Sequence, residues 1–314
     1  MLSRRHIRVK VMQVLYAFNG TESDDFSKDQ KFLLYSIDNM YNLYLMMMSL
    51  LIEINKKSKV QLENIQKKHL ATPEEKNPNK KFINNQVLQL IANNEALQSA
   101  FEANKINNWQ LDNEYVDIIY KAIVASELYK DYMQTKTSTF KEDKEFLIDI
   151  YKEIIAPNDK LYDYIEDKNL TWLDDLPTVN TSIVKLLRKL KETSNAYLLT
   201  PKLYKDVEDK QFAIDLFKKT LLNQSKLGEE IAGKTNNWDT ERIASLDLVL
   251  LKMAISELTN FPSIPTKVTI NEYLEIAKEY STPKSSIFIN GILDKLLKEY
   301  QEQGKLNKVG RGLM

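Results

Sequence analysis

Residues 238–295 decide the fold, and they read WDTERIASLDLVLLKMAISELTNFPSIPTKVTINEYLEIAKEYSTPKSSIFINGILDK. This stretch contains one glycine and little alternation of β-branched with polar residues. Segments rich in Lys, Glu, Leu and Asn continue through most of the chain. Such segments favour α-helices. We therefore expect an all-α protein.

The first helix has the clearest pattern. Ser3 is its expected N-cap, and Asn19-Gly20 is its expected stop. Its apolar face, at helical spacing, consists of Ile7, Val11, Val14, Leu15 and Phe18. Its basic residues are Arg4, Arg5, Arg8 and Lys10. Half of the six arginines therefore lie in the first eight residues.

Composition excludes several classes of protein. The 44 Lys+Arg residues balance 44 Asp+Glu residues, so any nucleic-acid contact has to come from a local patch. There is no cysteine and there are only two histidines, which disfavours disulfides, thiol nucleophiles and zinc sites. We expect no metal, no cofactor and a cytoplasmic location.

Glycine usage argues against nucleotide-binding and hydrolase templates. No glycine occurs between Gly20 and Gly228, so the glycine-rich phosphate loops and the nucleophile elbow are absent from that stretch. The carboxylates are scattered and lie mostly beside lysines, without a catalytic pattern. We expect that the protein is not an enzyme, and we assign no catalytic residue.

The most apolar run, Leu43 to Ile54, is shorter than the roughly 20 residues that span a bilayer. It is predicted to be a buried helix, with no membrane association. It belongs to a second helix expected from about Asp29 to Lys56. The segment Lys67–Lys81, with its prolines and lysines, is expected to be an exposed, mobile loop, and prolines 157 and 177 mark later boundaries.

Two segments resemble each other at an offset of 66 residues. Glu142–Trp172 aligns with Glu208–Trp238, and with a small gap the similarity covers residues 142–190 and 208–254. This favours a duplicated helical unit. Chance similarity among Lys- and Leu-rich helices is the alternative.

Three segments together resemble the NusB family of transcription antitermination factors. Residues 265–272 read PTKVTINE and residues 288–295 read FINGILDK, and the two strings are specific in combination although each alone is weak. The segment Arg4–Tyr16 looks like that family's arginine-rich first helix. The resemblance covers roughly residues 1–30 and 206–300.

The resemblance implies a NusB-like helical bundle in four regions. These are an N-terminal helix (1–30), an extra helical insertion (31–205), a C-terminal core (206–300) and a flexible tail (301–314). It also implies binding to the boxA RNA element together with NusE, a small-subunit ribosomal protein. In the family this occurs in antitermination complexes on RNA polymerase and serves rRNA transcription and processing.

Single-stranded RNA needs cations for its phosphates and aromatic faces for its unstacked bases. With the resemblance, this predicts the RNA-binding residues Arg4, Arg5, His6, Arg8, Lys10, Tyr16, Lys252, Lys284, Ser285, Phe288 and Asn290. Asp247 and Glu272 are predicted to contact a protein partner.

Several of these residues keep an alternative role. Tyr16 and Phe288 could pack in the core, Asn290 could cap a helix, and Glu272 could pair with a helix end. His6 is expected to be mostly neutral at pH 7.

Two further residues belong to the same strings or lie near them. Lys284 is expected to help phosphate binding unless it only faces solvent. Gly291 is expected to allow close helix packing.

Two other functions are considered. A helical scaffold that keeps the NusB fold but no longer binds RNA is the main alternative, with residues 31–205 as a protein-interaction surface. The NusB-like domain attached to some rRNA cytosine methyltransferases is excluded because the chain has no cysteine and no glycine-rich cofactor loop.

Overall fold

The computed structural model describes residues 1–19, 26–67, 72–234 and 243–310. Within these ranges the regular structure is helical and no β-strand occurs, so the predicted all-α class is confirmed. Trp238 and Arg242 lie outside the described residues.

The α-helices follow one another along the described residues. Pro157 precedes α10, and Pro177 lies in the first turn of α11, so both predicted boundaries are confirmed. A π-helical turn, Tyr151–Ile155, continues α9. The helices are α1 (Arg4–Asn19), α2 (Phe26–Gln66), α3 (Pro73–Lys76), α4 (Gln86–Ala92), α5 (Glu95–Ala103), α6 (Asn108–Leu111), α7 (Asn113–Ala125), α8 (Glu127–Tyr132), α9 (Phe140–Ile150), α10 (Asp159–Lys168), α11 (Leu176–Lys189), α12 (Val207–Leu222), α13 (Gln224–Ala232), α14 (Ser245–Asn260), α15 (Thr266–Tyr280) and α16 (Ser285–Glu302).

The chain forms two compact units. One, which we call the split unit, combines residues 2–37 with residues 204–314. The other, the central unit, consists of residues 38–203 together with residue 1. The insertion predicted from the sequence, residues 31–205, contains all of residues 38–203 and extends a few residues beyond them at both ends.

Helix α1 belongs to the split unit and follows its predicted pattern. The Ser3 hydroxyl accepts a hydrogen bond from the backbone N–H of His6, which makes Ser3 the N-cap. The apolar residues Ile7, Val11 and Leu15 are buried. They face helices α12, α14 and α15 of the same unit, against which α1 packs.

Helix α2 runs ten residues beyond its predicted end at Lys56. The added turns contain no proline or glycine, and the first strong breaker is Pro73. The apolar run Leu43 to Ile54 lies in this helix and is buried in the central unit except for Glu53, as predicted. Among the described residues, no helix is both long and apolar enough to cross a membrane.

The described part of the predicted mobile loop Lys67–Lys81 makes specific contacts. Thr72 and Glu75 form a capping box on the short helix α3. Lys81 is buried and donates to the Tyr132 carbonyl and to the carboxylate of Glu142, each at 2.7 Å. The expectation of an exposed connector is therefore wrong at its C-terminal end, because Lys81 is buried and its ammonium group is held by hydrogen bonds.

The predicted tail also makes specific contacts before residue 311. The backbone N–H of Val309 donates to the Pro262 carbonyl at 3.1 Å. The ammonium group of Lys308 donates to the Phe261 carbonyl at 3.0 Å. These bonds hold the described part of the tail against the connection between α14 and α15.

The two similar segments have matching burial. Asp143, Phe146 and Ile165 in the central unit are buried, and so are their counterparts Asp209, Phe212 and Ile231 in the split unit. Each segment begins with an acidic pair that meets a cation: Lys81 lies 2.7 Å from Glu142, and Arg4 lies 3.7 Å from Glu208. The duplication stays a prediction, now with similar packing in its favour.

Two glycines in or after α16 differ in backbone conformation. A Cβ added to Gly291 would meet no atom within 4 Å, so the expectation that Gly291 allows close helix packing is wrong. Gly304 follows the helix with a φ of +62°, a conformation that L residues rarely adopt.

We expect opposite effects from alanine at these two positions. Gly291→Ala should raise the free energy of unfolding by about 0.5–1 kcal/mol, because glycine weakens a helix interior. Gly304→Ala should lower the free energy of unfolding by about 1 kcal/mol, because the left-handed conformation is sterically unfavourable for alanine. Urea unfolding of both variants measures this difference. Equal destabilisation by both would contradict it.

Candidate nucleic-acid interface

An open cleft of 760 Å³ lies in the split unit beside the N-terminus of α1. We call it the arginine cleft. Its walls come from the first turns of α1, the connection between α14 and α15, and one side of α15. The described residues that line it are Ser3, Arg4, Arg5, His6, Arg8, Ser263, Ile264, Pro265, Val268, Glu272 and Glu279.

Arg5 and Glu272 form a partly exposed ion pair at this cleft. Nε and one terminal nitrogen of Arg5 each donate to a different carboxylate oxygen of Glu272, both at 2.9 Å. The Arg5 side chain is 42% exposed. Hydrogen bonding to Arg5 lowers the pKa of Glu272, and the same bonds raise the pKa of Arg5. Glu272, which was predicted to contact a partner, is therefore paired within its own unit.

Arg8 lies deeper and is 2% exposed. Its guanidinium donates two hydrogen bonds to Glu257, at 2.8 and 2.7 Å. Burial opposes the charged form, but the hydrogen bonds and charge of Glu257 outweigh it and raise the pKa of Arg8. Thr269 and Tyr273 also donate to the Glu257 carboxylate. The expectation that Arg8 is exposed and contacts RNA is therefore wrong, because Arg8 forms a buried ion pair with Glu257.

Arg4 is the third arginine of the cleft and is partly exposed. Its Nε donates to Asp209 on α12 at 3.0 Å. Its guanidinium carbon lies 5.2 Å from the centre of the Phe212 ring, within range of a cation–π interaction. Arg4 is thus held from one side while part of its side chain faces solvent.

His6 and Lys10 are less exposed than the sequence predicts for RNA-binding residues. Lys10 is buried in α1, so it cannot offer its charge to an RNA strand in this conformation. His6 is half-buried, and Nδ1 lies 2.7 Å from the Ser3 hydroxyl oxygen. Burial, followed by the charges of Arg5 and Lys10, lowers the pKa of His6. The neutral form expected at pH 7 is therefore favoured further.

This pKa shift predicts a pH effect on stability. Because the folded-state pKa of His6 lies below its unfolded value of about 6.5, the unfolded chain binds more protons. The stability that His6 contributes is fully present above about pH 6.5. It is lost as the pH falls from this value through the lower folded-state pKa of His6. We expect His6→Gln to flatten the fall in melting temperature between pH 7 and pH 5.5. An unchanged slope in this variant would contradict a role for His6.

Tyr16 and Lys252 lie away from these three arginines. Tyr16 is 48% exposed, and its hydroxyl lies 3.4 Å from that of Ser245 at the start of α14. The alternative of a core tyrosine is therefore not supported. Lys252 is half-buried, and burial lowers its pKa.

A hydroxyl network fixes the connection between α15 and α16. The Asp247 carboxylate accepts hydrogen bonds from Ser281 at 2.6 Å and from Ser285 at 2.8 Å. Asp247 and Ser285 are both buried. This corrects the expectation that they contact a partner and RNA directly, because the network occupies their polar atoms.

The start of α16 leaves other predicted residues accessible. Lys284 is exposed, and Phe288 and Asn290 are half-buried. The Asn290 amide donates to Asp294 one turn later, at 3.1 Å, so this residue does not cap the helix start. Lys284, Phe288 and Asn290 keep surface that a ligand could contact.

The acidic partners of the arginines were not predicted from the sequence. Asp209 and Glu257 were not singled out, although both are buried and bind guanidinium groups. Glu257 had a usable signal, since it is the only charge in the apolar string MAISEL at residues 253–258. No group of three His, Asp or Glu side chains in the described ranges could hold a metal ion.

Comparison with known proteins gives consistent matches. The sequence model of the NusB family matches residues 178–298. A transcription antitermination protein NusB from Salinibacter ruber is 45% identical over 109 residues, which cover 35% of this chain and 68% of that protein.

Two further relatives carry the same name. The protein from Chloroherpeton thalassium is 41% identical over 109 residues, covering 35% of this chain and 52% of that protein. The protein from Natranaerobius thermophilus is 43% identical over 86 residues, covering 27% of this chain and 62% of that protein. No solved structure matches the chain.

Proposed function

The chain belongs to the NusB family, and on this premise we propose that it is a transcription antitermination factor that binds boxA-type RNA together with NusE. The proposal includes a place in the antitermination complex on RNA polymerase and a role in rRNA transcription and processing. It describes a binding protein without catalysis. The arginine cleft is the observation that carries it.

The chemistry of the cleft suits a phosphate backbone. A guanidinium has five N–H donors, and Glu272 takes two from Arg5, so the remaining donors can meet phosphate oxygens. The partly exposed Arg4 adds a second cation. The apolar wall formed by Ile264, Pro265 and Val268 offers a surface for a base or ribose.

The start of α16 supplies the other contacts in this proposal. Lys284 offers an exposed charge for a phosphate. Phe288 offers part of an aromatic face on which a base can stack. Exposed Tyr16 is a further aromatic contact from α1.

One observation favours the alternative of a scaffold that no longer binds RNA. Each arginine of the cleft is already paired with a carboxylate: Arg4 with Asp209, Arg5 with Glu272, and Arg8 with Glu257. RNA would have to compete with these pairs. The partly exposed pairs are weak, however, since surface ion pairs contribute about 0–1 kcal/mol.

A titration of labelled boxA-type RNA tests the proposal. The full-length protein is titrated with and without NusE at two salt concentrations, with a scrambled RNA of equal length as control. We expect NusE to tighten binding, salt to weaken it and the scrambled RNA to bind less tightly. Absence of RNA binding with NusE present would favour the scaffold.

A further inference from the structure

A second cleft, of 280 Å³, lies in the split unit where the ends of several helices meet. We call it the lysine cleft. Among the described residues it shares no lining residue with the arginine cleft. Its charged lining residues are three lysines and one glutamate: Lys219, Lys226, Lys305 and Glu230. The lysines therefore outnumber the one carboxylate, and that of Glu230 also accepts a hydrogen bond from the hydroxyl of Tyr300.

Ser256 lies in the wall of the lysine cleft and is 1% exposed. Its hydroxyl has no hydrogen-bond partner among the residues that the structure describes. Buried polar groups are nearly always hydrogen-bonded, so a buried hydroxyl without a protein partner calls for a physical explanation. A ligand with acceptor oxygens would satisfy this hydroxyl.

The backbone holds one of the lysines at the cleft. Gly304 takes a left-handed conformation, and the N–H of Lys305 donates to the Tyr300 carbonyl at 2.9 Å. This is the bond of a Schellman motif at the end of α16. Nζ of Lys305 lies 5.5 Å from the centre of the Tyr300 ring.

Helix α13 begins at the same cleft without a side-chain cap. Asn223, its N-cap residue, lines the cleft and makes no capping bond with the helix. Lys226, in the first turn of this nine-residue helix, also lines the cleft. The N-terminus of a helix attracts anions through its dipole and its unbonded N–H groups.

From these features together we infer that the lysine cleft binds a phosphate group. The lysines supply charge, the first turn of α13 supplies backbone donors, and the Ser256 hydroxyl supplies a buried donor. A cleft of 280 Å³ admits a phosphomonoester or one phosphate of an RNA backbone. This site adds to the proposed function, which depends on the arginine cleft.

The first test is the thermal shift of the full chain in inorganic phosphate, at ionic strength matched with chloride. We expect phosphate to raise the melting temperature of the native protein and of the double variant Lys210→Gln/Lys298→Gln. Those two lysines are exposed on α12 and α16 and do not line the cleft. Lys226→Gln/Lys305→Gln should weaken phosphate binding about tenfold or more. Equal responses in the two double variants would overturn the inference.

Ser256→Ala gives a second readout. Without phosphate the variant should melt at a higher temperature, because a buried donor without a partner is removed. Its response to phosphate should be smaller than that of the native protein. A full phosphate response in this variant would show that the hydroxyl does not contact the ligand, and would overturn the inference.

The source of the phosphate is separated by two further probes, a 5′-nucleoside monophosphate and a short single-stranded RNA. If Lys226→Gln/Lys305→Gln weakens only the monophosphate, the ligand is a small phosphate ester. If it weakens RNA as well, the cleft binds a backbone phosphate. Loss of RNA binding through the arginine cleft would leave the inorganic phosphate response intact, so the two proposals fail separately.

Discussion

Replacing Glu257 by alanine should lower the free energy of unfolding by about 3–5 kcal/mol, the usual cost of stranding a buried charge. The variant removes the carboxylate that accepts two hydrogen bonds from buried Arg8 and leaves this guanidinium the longer contact to Glu272, at 3.6 Å. It also removes the acceptor for Thr269 and Tyr273. Urea unfolding followed by far-ultraviolet circular dichroism measures the change.

Two controls define this effect. Arg5→Ala removes one member of a partly exposed pair and should cost about 1 kcal/mol or less. The double variant Arg8→Met/Glu257→Leu should recover much of the lost stability, because an apolar pair replaces the stranded charge. If Glu257→Ala costs no more than Arg5→Ala, the buried pair does not support the fold as described.

The second large effect concerns RNA. We expect Arg4→Ala/Arg5→Ala to weaken binding of boxA-type RNA about ten- to a hundredfold. It should also reduce the slope of log affinity against log salt by about 1.4, since each single-strand phosphate contact contributes about 0.7. Fluorescence anisotropy at several salt concentrations measures both quantities. Arg8 stays unchanged because its loss would destabilise the protein.

The matched control removes two charges elsewhere. Lys210→Gln/Lys298→Gln changes two exposed lysines that line neither cleft. It should retain most of the affinity and nearly the full salt slope. Equal losses in the arginine and lysine variants would mean that net charge, and not the arginine cleft, governs RNA binding.

Local patterns predicted the helices well. The N-cap and the apolar face of helix α1 agree with the sequence pattern, because those signals act within a few residues. Gly20, part of its expected stop, lies outside the described residues. The buried run Leu43 to Ile54 was equally readable from composition. The end of α2 was misjudged since a change toward lysine at residues 56–59 does not by itself end a helix.

The pairing of charges could not be predicted in the same way. Arg4, Arg5 and Arg8 looked like one exposed basic face, but their partners lie more than 200 residues away in sequence. Helical spacing cannot reveal such contacts. Gly291 shows the related problem, because its sequence motif suggested close packing whereas its surroundings are open.

The division of the split unit between the two ends of the chain has a consequence for synthesis on the ribosome. Helix α1 emerges early, but its packing partners α12, α14 and α15 are completed only after residue 280. At a translation rate of about 5–20 residues per second, synthesis of these three helices is completed on the order of 10–50 s after that of α1. Residues 38–203 of the central unit are continuous in sequence and are complete before α12 is synthesised. During this interval the apolar face of nascent α1 has none of these packing partners, which exposes apolar surface of the kind that chaperones bind.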